Sequence, residues 1–179
     1  MGTGNVYSNT KQVLRVLYFL TWIAFIAVSV KAGAIIISFV VSWMNPEAAR
    51  DIYKGMDLHA LKAFSTWHYS LAVAFMVVVL CLKATVLELA IKAMSKVNLA
   101  NPFSSGVARI MEKISYTLLA ASVIAILGNI HADWILKKTG LELEQSAGGE
   151  FLFVAGLVFV ISQIFKRGVE LQSENELTV

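Results

Sequence analysis

A chain of 179 residues that is 58% apolar and only 15% charged, with a mean hydropathy of +0.70, is too apolar for an ordinary water-soluble domain. Its composition points to a bilayer as solvent. The net charge of +3 and pI of about 9.0 do not make it a nucleic-acid binder, because the basic residues are scattered between apolar blocks. A single cysteine, Cys81, excludes an intramolecular disulfide and any paired-cysteine metal motif, and reads as a small core residue.

A spanning helix needs about 20 largely apolar residues to cross about 30 Å of hydrocarbon, and four stretches answer to that description. The first runs from about Val16 to Met44, is closed by Asn45-Pro46 and carries one charge, Lys31. It is far longer than the apolar region of a cleaved signal peptide and has no small-x-small site after it, so it reads as a retained helix. The second runs from about Trp67 to Ile91 with a clean apolar core from Leu71 to Leu82. Its helical pattern continues to Val97, with Glu88 and Lys92 four apart on one face, so the helix projects out of the membrane.

Asn101-Pro102-Phe103 then offers an N-cap followed by proline at the first helical position. The third span covers about Ile114 to Trp134 and is uncharged until Asp133. The fourth, Phe151 to Phe165, is short, so it takes in Gly148-Gly149-Glu150 at one end and lets Lys166 and Arg167 snorkel at the other. From Lys166 to Leu177 an amphipathic, acid-rich extension follows. These readings predict an all-α integral membrane four-helix bundle, one domain over 1–179, with helices over 13–44, 66–97, 102–135 and 149–172. The second and fourth helices extend into the cytoplasm.

Loops rich in Lys and Arg resist translocation. With the N-terminus inside, Lys11, Arg15, Lys83, Lys92, Lys96, Arg109, Lys113, Lys166 and Arg167 fall on the cytoplasmic side. Arg50, Lys54, Lys62, Lys137 and Lys138 fall outside, together with most acids. The expected topology is therefore a multi-pass protein of a bacterial inner membrane with both termini cytoplasmic. Trp43, Trp67 and Trp134 sit at the outer ends of the first three spans, where amphipathic rings concentrate.

Lys31 is the most unusual residue. A lysine near the centre of a spanning helix costs about 2.5–3.5 kcal/mol on insertion scales and so normally faces protein or water. Asn129 in the third helix and Glu150 at the start of the fourth are its candidate partners. His59, His68, His131 and Asp133 all map to the outer side, where imidazoles and a carboxylate suit zinc binding or pH sensing. Yet no two of these histidines stand at i, i+4, and His131 and Asp133 point to different helix faces, so they read as interfacial polar residues with no metal. No nucleotide-binding loop, hydrolase elbow or metalloprotease signature occurs. No catalytic residue and no cofactor are expected.

Several short segments resemble one known family, the bacterial membrane proteins classed as domain of unknown function 2975, in the form common in Bacteroidetes. They are Lys31-Ala32-Gly33-Ala34, Asn45-Pro46-Glu47-Ala48-Ala49, Asn101-Pro102-Phe103 and the ending from Phe165 to Val179. The resemblance extends over essentially the whole chain, and the ending is its most specific part. It implies no biochemical activity, but it does imply a gene beside a small helix-turn-helix regulator, and hence a membrane partner of a cytoplasmic transcription factor. The contact candidates are Asn101, Pro102, Phe103, Lys166, Arg167, Glu170, Glu174 and Glu176. Two classes stand open: a non-enzymatic sensor or regulatory partner, and a small transporter or resistance protein with a polar path near Lys31. Homo-oligomerisation suits so small a bundle, and direct nucleic-acid binding is not expected.

Overall fold

Proline and hydroxyl chemistry set the element ends. In the computed structural model, which describes residues 3–97 and 104–176, helix α1 covers Thr3–Met44 without a break. Its hydroxyls cause no disruption, because Thr21 and Ser29 each donate to the carbonyl four residues back at 2.8 Å. The helix stops where Pro46 removes a donor, and the Asn45 side chain accepts from the Glu47 N–H at 3.1 Å to start a 3-10 turn, Pro46–Arg50.

The stretch from 45 to 65, expected only as a loop, is a folded cap. Asp51 accepts from the Gly55 N–H at 2.8 Å across a turn whose Lys54 and Gly55 both have positive φ, 47° and 84°. Asp57 accepts from the His59 N–H at 2.8 Å and opens the short helix α2, His59–Phe64. Ala49, Ile52, Leu58 and Leu61 are all buried beneath it.

Helix α3, Thr66–Lys96, is capped by Ser65, and α4, Ser105–Thr139, by Ser104, whose hydroxyl accepts from the Val107 N–H at 3.3 Å. The cap expected at Asn101-Pro102-Phe103 lies outside the described residues. α4 ends on Gly140, in the left-handed region at φ +73°, a helix terminator that tolerates few side chains. Helix α5, Gly148–Glu176, is continuous across Lys166 and Arg167.

All four long helices are apolar and long enough to cross a membrane. The protein is a multi-pass, all-α four-helix bundle, and its long helices pack in chain order: α1 on α3, α3 on α4, α4 on α5. Among the described residues the backbone of α1 does not come close to that of α4 or α5. This open row explains why only 11% of the most apolar stretch of α1 and 17% of that of α5 is buried, against 33% for the inner helix α4. α4 turns small residues toward its neighbours, among them Ala121, Ser122, Ala125 and Ala132, which lets backbones approach closely. The main core joins α1, the cap and α3 through Ala32, Ile35, Ile52, Tyr69, Val73 and Leu80. Cys81 is exposed rather than in the core, because the row leaves that side of α3 without a neighbour. Trp43, Trp67 and Trp134 are exposed at one end of the row, called here the tryptophan end.

Candidate functional site

Two connecting segments that leave the tryptophan end do not stay there. Lys31 lies about 20 Å along α1 from Met44 at ~1.5 Å per residue. Its Nζ is nevertheless 5.4 Å from the centroid of the Tyr53 ring, so the turn at 51–57 reaches down beside α1. The segment 140–147 does the same along α4. Asn129, about 15 Å below Thr139, clamps it at both polar groups: Nδ2 donates to the Ser146 carbonyl at 2.7 Å and Oδ1 accepts from the Ser146 N–H at 2.8 Å. Gly148 then abuts α4 so closely that a Cβ there would stand 2.9 Å from Ile126 Cγ1 and 3.2 Å from the Ile126 backbone nitrogen. Asn129 therefore holds the loop and does not partner Lys31.

Irregular backbone at the depth of a bilayer persists only where protein buries it or where it lines water. The two segments meet α1 and α3 around a cavity of about 250 Å³ whose walls include Lys31, Met56, Met76, Leu80, Lys83 and Glu144. That is far more than the ~10–15 Å³ one water requires. Both lysines are held by rings, Lys31 by Tyr53 and Lys83 with its Nζ 4.9 Å from the Phe151 centroid. A cation–π contact gives about 0.5–2 kcal/mol and offsets only part of the cost of a lysine at this depth. Among the described residues neither ammonium makes an ion pair within 4 Å, although the charges of Lys31 and Glu144 both act on Lys83. Two cations face one carboxylate.

A second polar cluster closes the tryptophan end. The Ser42 hydroxyl lies 2.7 Å from both the Phe39 carbonyl and the Tyr69 hydroxyl, while Lys62 donates to the Ser42 carbonyl and stands over the Tyr69 ring. Beside it His68 Nδ1 lies 3.1 Å from His131 Nε2, with the rings stacked and Trp134 against His68. This bond requires one bare ring nitrogen, so it ties α3 to α4 only while one imidazole is neutral. The other candidates at this end lie apart. His59 is 3.7 Å from Glu47, and Asp133 accepts from Gln145 at 2.7 Å. Among the described residues no three potential ligands gather for a metal.

At the opposite end the charged candidates largely satisfy one another. Lys166 pairs with Glu112 across α4 and α5 at 2.7 Å, and Arg167 pairs with Glu170 at 2.7 Å, with Glu174 adding to its field. Glu88 and Lys92 pair along α3. Asn101, Pro102, Phe103 and the Glu176 side chain lie outside the described residues.

A family model described as "Protein of unknown function (DUF2975)" matches residues 43–179, well over half the chain. The protein belongs to that family. Neither a curated protein nor a solved structure matches it significantly. The match starts at Trp43, so it is narrower than the whole-chain resemblance and leaves out almost all of α1, including Lys31-Ala32-Gly33-Ala34. The family region thus supplies Lys83 and Glu144, while α1 adds Lys31 to the same cavity. Lys83 and Glu144 were not singled out in the sequence. The one cue was that Lys83 ends the clean apolar core of its helix, which also suits a topology signal.

Proposed function

We propose that this membrane protein is a non-enzymatic sensor: a small solute occupies the Lys31–Lys83 cavity, and the bundle reports its presence to a cytoplasmic regulatory protein. The observation that carries this reading is the pair of lysines, from two helices, that face one cavity without an acid in ion-pair contact. A bundle needing only to span a membrane gains nothing from such an arrangement, and it is costly at this depth. In this reading both termini lie in the cytoplasm of a bacterial inner membrane. α3 and α5, which run on beyond the apolar stretch, present the surface for a helix-turn-helix regulator. Residues 166–176 are the strongest contact segment, although Arg167 already neutralises part of their acidity. The little-buried faces of α1 and α5 leave room for a second copy of the chain.

Capture from native membranes tests the reading, using the full chain, a version lacking residues 166–179, and Lys31→Met. A helix-turn-helix regulator should be recovered with the full chain and lost with the truncation, and its recovery should change in Lys31→Met. Recovery of no regulator by any form overturns it. Transport is the second reading, favoured by irregular segments that reach bilayer depth around a polar cavity. It predicts solute uptake into proteoliposomes that Lys31→Met abolishes.

A further inference from the structure

We infer that the cavity takes a small monocarboxylate with a short apolar tail, and that the Glu144 carboxylate is its built-in competitor. This deepens the sensor reading and depends on a solute entering that cavity. The charges select the sign. Two ammonium groups against one carboxylate leave a single positive charge in excess, which one monoanion cancels, whereas a cation adds to the repulsion between the lysines. A doubly charged anion such as hydrogen phosphate overshoots. Each ammonium carries three N–H donors, and the observed ring contacts use only a face of each, so donors stay available to a bound carboxylate.

The remaining wall selects the tail. Ile35, Met56, Met76 and Leu80 give the cavity an apolar side, and methionine adapts to chains of varied shape. Glu144 enters as competitor through its mounting. It rides on the 140–147 segment, which α4 holds through side chains at Ser146 and Gln145, and among the described residues it makes no ion pair with either lysine. A bound carboxylate takes up the field that Glu144 otherwise shares, so the segment responds to occupancy.

The test is calorimetric titration of the full-length protein in detergent with butyrate, inorganic phosphate and butylammonium. Butyrate should bind, more tightly than phosphate, and butylammonium should not. Lys31→Met and Lys83→Met should each weaken butyrate about tenfold, the scale of one charged hydrogen bond. Lys83→Arg should retain binding. Glu144→Gln should tighten it about fivefold by removing a like charge. Ligand-free melting curves show that each variant is folded, and Lys83→Arg serves if a methionine variant is not. The inference is overturned if phosphate or butylammonium binds better than butyrate, if no probe binds, or if Glu144→Gln leaves or lowers butyrate affinity. Capture of the regulator is measured separately, so a wrong ligand class and a wrong sensor reading give different results.

Discussion

Replacing Asn129 by alanine removes two of the bonds that hold the 140–147 segment against α4 and leaves the one from Gln145 to Asp133. In a part-buried setting the Ser146 N–H loses its partner at 2.8 Å, whereas the C=O loses one at 2.7 Å and keeps the Gly148 N–H at 2.8 Å. One buried orphaned group costs about 1–3 kcal/mol, and access to cavity water recovers some of that, so the expected loss is about 1–2 kcal/mol. Two measurements check it: unfolding of the purified protein in mixed micelles, and amide exchange of residues 140–147. The variant should be less stable by that amount and should exchange faster in that segment, while exchange at the α1–α3 core stays unchanged. Ile130→Ala, on an exposed face of the same helix, should stay within about 0.5 kcal/mol. If Asn129→Ala matches Ile130→Ala and exchange at 140–147 is unaltered, the segment is not held by this clamp.

Gly148→Ala drives a Cβ against Ile126 side chain and backbone and should cost about 1–3 kcal/mol, whereas Gly156→Ala, with nothing within 4 Å, should be neutral or stabilise by up to about 1 kcal/mol in the same unfolding assay. Tyr69→Phe removes one hydroxyl but leaves Ser42 bonded to Phe39, so about 1 kcal/mol is expected, against about 3–5 kcal/mol for Tyr69→Ala at this fully buried ring. A double-mutant cycle on Glu112 and Lys166 should give a coupling of no more than about 1 kcal/mol that shrinks with added salt, since their side chains are 25% and 39% exposed.

The spans were legible because hydropathy over a helical length is a local property, and so were the stop at Asn45-Pro46 and the pairing of Glu88 with Lys92. Lys31 stood out for the same reason, as one charge in a long apolar run. What escaped the sequence depends on pieces far apart in the chain. His68 and His131 are 63 residues apart and meet only because α3 and α4 run side by side. Glu144 is one polar residue among several in a connecting segment, and the bonds from Asn129 to Ser146 and from Gln145 to Asp133 bring it to the cavity. Cys81 is exposed where its apolar run predicts burial, because an open row does not surround each helix with others.

That row also bears on assembly. Each long helix packs on the one made just before it, so every helix pair can dock as it is laid into the bilayer, without waiting for a distant partner. The cavity is the exception. It joins α1 and α3 to the segment between α4 and α5, and so it is completed only after three long helices have been made. A chain that has inserted those three helices but has not yet made residues 140–147 still lacks the Lys31–Lys83 cavity.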